Sequence, residues 1–397
     1  MADTEVRSQL QNAYDGSQAE AKEGWNHKPY GEHAAYKPAG RLGDASFELL
    51  HDPRTNSQLL EAAKGFGMDR NQPPSKLAQM RPDSTLEEIS EMIAEFEDGI
   101  VALYGNIPLD LPEDRDAIPI EREDHTIKGG DGQDMAVYVY RPKDQKEALP
   151  SVVYTHGGGM TIAATLSRPH EYWSRSIAQQ GVVVIMPDFR NAYTKQGFNH
   201  YPKGLNDCCA AIKWIAENKE KLKVRNIVLQ GESGGGNLAC ATALKANREG
   251  WVKDIAGVYA VVPYISNGYG WSDERKLKET PSMVENHGYF LNAHPTAFMA
   301  YMYTPNDKDS VDPLAWPYHA TLEDMKGLPP HILAMDELDF LRDEGVSYFR
   351  RLVQAGVPAK GHVNLGVTHG TSLIFRALVP DYHKQAVRDI ASFAKSL

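Results

Sequence analysis

The recurrence of apolar residues along the chain changes near residue 120. Residues 1 to about 80 are polar and broken by glycine and proline, with short helical patches such as Ser57-Gln58-Leu59-Leu60-Glu61-Ala62-Ala63. Leu86, Ile89, Ile93, Phe96, Ile100 and Leu103 then recur at steps of three and four, which predicts an amphipathic helix. Ser84 with Glu87 reads as its capping box. The surrounding segment is too polar to supply a core, so the apolar face of this helix is expected to rest on the remainder of the protein as a lid.

Beyond residue 120 the apolar runs become short and dense. His125-Thr126-Ile127-Lys128 and Met135-Ala136-Val137-Tyr138-Val139-Tyr140 flank Gly129-Gly130-Asp131-Gly132, a hairpin signature. Unalternating runs follow at Ser151-Val152-Val153-Tyr154, Val182-Val183-Val184-Ile185-Met186, Asn226-Ile227-Val228-Leu229, Gly257-Val258-Tyr259-Ala260-Val261-Val262 and His331-Ile332-Leu333-Ala334-Met335. Helical stretches such as 168–180 and 205–222 separate them. Apolar runs that do not alternate belong to strands buried on both faces, so the expected class is α/β with a mostly parallel sheet flanked by helices. The connection from Val262 to His331 is too long for a plain crossover and carries Trp271, Tyr289, Phe290, Phe298, Tyr301, Tyr303 and Trp316. It is expected to fold against the N-terminal helices and roof a pocket, with most of these rings simply packing the segment.

Composition narrows the function classes. The formal net charge of −11 argues against nucleic acid or an anionic membrane surface as partner. Met1-Ala2-Asp3-Thr4-Glu5-Val6-Arg7-Ser8 has no apolar signal-peptide core, and no run of 18 apolar residues occurs. Cys208, Cys209 and Cys240 form no CxxC pair and no even framework, which suits a reducing, cytoplasmic setting. HExxH, GxGxxG after a strand and GxxxxGK[ST] are all absent, so neither a metal nor a nucleotide cofactor is expected.

One motif carries chemistry. Gly231-Glu232-Ser233-Gly234-Gly235 directly follows the run ending at Gln230 and precedes a helical stretch. That context displays a serine on a sharp strand-to-helix turn, and a serine hydroxyl needs such display, together with a base, to act as a nucleophile. His156-Gly157-Gly158-Gly159 follows another predicted strand, and its backbone N–H groups, with that of Gly234, suit a developing oxyanion. His156 itself, on that turn, suits a structural role. A base and an acid should follow in the order Ser, Asp, His. His369, in Val367-Thr368-His369-Gly370, lies after the last apolar run, whereas His362 falls within that run. The acid is ambiguous, because Asp336, Glu337, Asp339, Asp343 and Glu344 crowd one stretch. Asp336 sits at the strand end and Asp343 and Glu344 at a helix start. Asp339, in the turn between, is preferred by position, with Asp336 left open.

With HGGG, GESGGG, DFLRDEG and VTHG in this order, the chain resembles the hormone-sensitive-lipase family of α/β-hydrolases from about residue 120 to 397, and more loosely over the N-terminal third. The resemblance implies an eight-stranded α/β-hydrolase sheet, with catalytic residues Ser233, Asp339 and His369. It places the oxyanion donors on Gly157, Gly158 and Gly234. Phe340 stands where the family usually has proline, and Glu232 and Gly234 depart from its usual GDSAGG. The implied organisation is a cap from residues 1–118 and 265–328 on a catalytic domain of residues 119–397. The implied activity is cofactor-free hydrolysis of small to medium carboxylic esters or a lactone through an acyl-enzyme, and a homodimer is compatible with it. Acyl transfer by the same triad, or small-molecule reception on the same fold, stand as alternatives.

Overall fold

A computed structural model describes residues 40–44, 46–70, 84–115 and 117–397. The stretch Met1 to Ser8 lies outside the described residues. Eight strands form the main sheet: β1 (Ile120–Lys128), β2 (Asp134–Pro142), β3 (Leu149–Thr155), β4 (Val183–Pro187), β5 (Val224–Glu232), β6 (Gly257–Val261), β7 (His331–Asp336) and β8 (Ala359–Asn364). Their order across the sheet is β1-β2-β4-β3-β5-β6-β7-β8. β1 pairs antiparallel with β2 in the hairpin register Lys128 to Asp134, β2 pairs antiparallel with β4, and every later pairing is parallel.

The unalternating runs have a direct physical cause. Val153, Ile185 and Leu229 point into one core beside Ile212 and Leu238, whereas their neighbours Val152, Val184 and Val228 point into a second core beside Trp173 and Ile390. Those helical residues belong to α3 (Arg168–Ala178), α4 (Lys203–Glu217), α5 (Gly234–Glu249) and α8 (Pro380–Ser396), which cover the two faces. Alternate positions are therefore buried on opposite sides, and both sets are mostly apolar. The helical stretch 205–222 proves to be two pieces, since α4 ends at Glu217 and a short turn, Lys219–Leu222, follows Asn218.

Before the sheet lie α1 (Ser57–Gly65) and α2 (Leu86–Asn106). The capping box of α2 is Thr85 with Glu88, one residue later than the Ser84 and Glu87 pair expected from sequence. Thr85 Oγ1 accepts the Glu88 N–H at 3.2 Å, and Glu88 Oε2 accepts the Thr85 N–H at 2.8 Å. The shift follows from Leu86 beginning the helix, which aims Ile89 and Ile93 inward. In the long connection, Asp273–Glu279, Ser282–Glu285 and α6 (Ala293–Tyr303) are helical, and α6 packs on α2. α7 (Arg342–Gln354) follows β7, with Asp343 and Glu344 in its first turn as expected. Arg54 and Arg342 both pair with Glu285, at 2.5 and 2.7 Å, tying the segment before α1, the connection and the start of α7 together. Among the described residues no helix is long and apolar enough to cross a membrane.

Candidate active site

The four loops that leave the carboxyl ends of β3, β5, β7 and β8 converge, as ligand-binding loops do in open α/β sheets. Ser233 follows β5 and has φ 56° and ψ −120°, a region that non-glycine residues avoid. Three backbone hydrogen bonds hold it there. Its N–H donates to Val261 O at 2.9 Å, and its carbonyl accepts from Asn237 N–H and Tyr264 N–H, both at 3.1 Å. The motif's flanking glycines serve close approach, while the unusual dihedral falls on the serine itself. A Cβ on Gly231 would lie 2.2 Å from Gly235 O, and one on Gly235 only 1.9 Å from Thr155 O. Gly235→Ala is therefore expected to lower stability by at least ~3 kcal/mol, read as a lower midpoint in urea unfolding.

In the oxyanion loop, expected to offer the N–H groups of Gly157 and Gly158, Gly157 N–H donates to Glu232 Oε1 at 2.5 Å and so already has an acceptor in the carboxyl preceding the nucleophile. Gly158 and Gly159, at φ 98° and 62°, turn the following backbone. Their N–H groups, and that of Gly234 at the start of α5, have no acceptor among the described residues. Gly159 N would lie 2.7 Å from a Cβ on Gly234, so the two loops touch. The sequence reading passed over Gly159, since nothing in it ranks the three glycines of the run by the direction of their N–H groups. His156, expected in a structural role, lies on this loop away from any hydrogen bond to Ser233 among the described residues. Its buried ring donates from Nδ1 to Gly157 O at 2.7 Å and stacks on Phe189 at 4.5 Å, and burial takes its pKa down to about 4.

Five crowded carboxylates sort by partner. Asp339 is fully buried, accepts the Leu341 N–H on Oδ1 at 2.8 Å, and accepts His369 Nδ1–H on Oδ2 at 2.9 Å. Asp336 instead accepts Asn364 Nδ2–H at 2.9 Å, and burial pushes its carboxyl up to about 7. Glu337 accepts Gly366 N–H, Asp343 accepts Ser282 N–H, and Glu344 accepts Ile265 N–H. Asn286, unremarked in the sequence, donates its amide hydrogens to the carbonyls of Glu337 and Asp339 at 3.0 and 2.9 Å and so braces the acid's turn. His369 stands on the loop after β8, with Gly370 at φ 67° beside it, whereas His362 lies within β8. Burial opposes charge on the His369 ring, yet the charge and hydrogen bond of Asp339, with smaller contributions from Asp336 and Glu232, hold its pKa above the ordinary 6.5.

Ser233 and His369 line one cavity of about 460 Å³. No hydrogen bond joins them among the described contacts, and such bonds often tighten only with substrate bound. The walls are mainly apolar, with Phe96 and Ile100 from α2, Met299 from α6, and Leu373 and Ile374 after β8. Of the seven aromatic residues noted in the long connection, Phe290 reaches this cavity. Tyr303 and Trp316 instead pack edge to face within the segment, their centroids 5.7 Å apart.

Residues 152–373 match the family described by the α/β-hydrolase fold. A solved structure described as "brefeldin A esterase, a bacterial homologue of human hormone sensitive lipase" superposes with a TM-score of 0.87 at 45% identity, covering 91% of this chain and 99% of that one. Carboxylesterase NlhH of Mycobacterium tuberculosis is 29% identical over 284 residues, 69% of this chain and 82% of its own length. An α/β hydrolase of Acanthamoeba polyphaga mimivirus is 28% identical over 238 residues, and the match spans 59% of this chain and 65% of that protein. The chain belongs to the α/β-hydrolase family, on the side of it that holds the bacterial homologue of hormone-sensitive lipase.

Proposed function

We propose that the protein is a serine carboxylic-ester hydrolase. The observation that carries this reading is the Asp339–His369 pair, 2.9 Å apart, on the wall of the cavity that Ser233 also lines. His369 takes the Ser233 proton as Oγ attacks the ester carbonyl. Asp339 holds the ring's Nδ1–H and stabilises the imidazolium, and the N–H groups of Gly158, Gly159 and Gly234 receive the oxyanion. Collapse expels the alcohol, protonated by His369. A water, its proton taken by the same ring, then releases the acid and frees Ser233.

In this reading the described parts of residues 1–118, together with 265–328, act as the cap over the catalytic domain of residues 119–397, the rest of 1–118 lying outside the described residues. What supports it is that Phe96, Ile100, Phe290 and Met299 wall the cavity above Ser233. The substrate is a small to medium ester or a lactone, as the similarity to a structure named for brefeldin A supports. Acyl transfer and ligand reception gain nothing from the site's geometry, and hydrolysis is the activity for which the similar proteins are named. Unpaired, buried cysteines fit a cytoplasmic setting. The homodimer is a matter for light scattering. A panel of p-nitrophenyl esters of rising acyl length beside macrocyclic lactones tests the reading. Hydrolysis of at least one class, lost in Ser233→Ala, is expected, and no turnover of any of them would contradict it.

The pH dependence has a definite sign. His369 must be neutral to accept the proton, and Asp339 holds its pKa above 6.5, so kcat/KM should fall as pH drops through a midpoint above that value. A pH–rate profile on a p-nitrophenyl ester reads this midpoint, and one well below 6.5 would contradict the pairing.

A further inference from the structure

We propose that Glu232 is a positioning residue whose carboxyl clasps Gly157 N–H and thereby holds the oxyanion loop in register with the Ser233 elbow. The proposal rests on the hydrolase reading above. Glu232 is the last residue of β5 and its side chain is nearly fully buried. Oε1 accepts Gly157 N–H at 2.5 Å. Among the described residues this is the one side-chain bond between the strand that carries the nucleophile and the loop that carries Gly158 and Gly159. The bond also decides which N–H groups face the substrate, because successive peptide groups in a turn cannot all point one way. Fixing the Gly157 N–H on Glu232 leaves those of Gly158 and Gly159 for the oxyanion.

The surroundings give the clasp a second property. Glu232 faces Tyr104 of α2, Tyr154 of β3 and His369, and His170 Nε2 of α3 lies 3.8 Å from Oε1. The ring of His156 stacks on that of His170 at 4.9 Å. No arginine or lysine is among these neighbours. Burial pushes the carboxyl up to about 8, against the opposing pull of Gly157 N–H and Tyr154. The neutral acid can still accept the Gly157 N–H through its carbonyl oxygen. Ionisation above that pH would set a negative charge beside the place where the ester's oxyanion forms, and would oppose it.

The test measures kcat and KM on a p-nitrophenyl ester for wild type, Glu232→Gln and Glu232→Ala through the alkaline range, with Ser233→Ala in parallel. Glu232→Ala should lower kcat on the order of 10²-fold with KM within about threefold, the pattern of a lost transition-state interaction. Glu232→Gln keeps a carbonyl acceptor, so its kcat should stay within about fivefold of wild type. It should also lack the fall in rate expected of wild type above about 8. Unchanged kcat in Glu232→Ala, Gln as impaired as Ala, or an alkaline limb that survives in Gln would each overturn the clasp. Should Glu232→Ala fail to fold, the Glu232→Gln profile decides alone. Activity surviving in Ser233→Ala would sink the hydrolase reading itself. Activity lost there but normal in the Glu232 variants would sink the clasp alone.

Discussion

Ser233→Ala is expected to reduce kcat on a p-nitrophenyl ester by about 10³-fold or more while the protein keeps its fold. The substitution removes only Oγ. The backbone bonds from Ser233 to Val261, Asn237 and Tyr264 remain, and they hold the strained dihedral whichever small side chain sits there. Nothing is added against Gly157, whose own Cβ position lies 3.4 Å from the Ser233 Cβ. The thermal midpoint should therefore move little, and KM should change less than kcat, because the apolar walls that bind substrate are untouched. The comparison is a kcat measurement beside a melting curve. A variant that melts normally and still turns over at the wild-type rate would remove Ser233 from the chemistry.

Asp339→Asn should be nearly as damaging, about 10³-fold or more in kcat, although it is close to isosteric. An amide at this position can present an N–H to His369 Nδ1, which favours the wrong tautomer and leaves the imidazolium without a counter-charge. Asp336→Asn is the informative contrast, since Asp336 lies three residues away and is equally buried. Its carboxyl is turned to Asn364, so kcat should stay within about fivefold of wild type. Stability should respond with the opposite emphasis. Asp336 has its folded pKa raised from 3.8 to about 7, so the native state holds its proton longer than the unfolded chain and stability falls as pH rises between those values. Asparagine cannot ionise, and the variant should gain stability relative to wild type at the top of that window. Chemical denaturation of both proteins at several pH values checks the sign. Equal kcat losses at the two positions would contradict the assignment of the acid.

How much of this was legible in the sequence depended on how local the cause was. The parallel sheet was readable because burial on both faces leaves an unalternating apolar run, as at Val152 and Val153. The elbow was readable because strand, glycines, serine and helix lie within a few residues of one another. The capping box of α2 slipped by one residue, since Ser84 and Thr85 can each cap and only the burial of Ile89 and Ile93 chooses between them. The acid could not be chosen from five carboxylates on pattern alone. Their roles are set by partners distant in the chain, such as Asn364 for Asp336 and Ser282 for Asp343. The direction of the Gly157 N–H had no sequence signal of its own, because it depends on where Glu232 folds, 75 residues later. The wall-forming role of Phe290, rather than Tyr303 or Trp316, likewise emerges only once the long connection is packed.

The central claim is that Ser233 becomes covalently acylated, and its most direct test is to trap that bond. The protein is treated with a p-nitrophenyl phosphonate, which transfers its phosphorus to an activated serine with release of p-nitrophenolate, and the digest is analysed by mass spectrometry. One equivalent of p-nitrophenolate, loss of esterase activity in step with labelling, a single adduct on the peptide carrying Ser233, and none in Ser233→Ala are expected. Activity lost with the adduct on a different residue, or hydrolysis continuing with Ser233 fully modified, would contradict it.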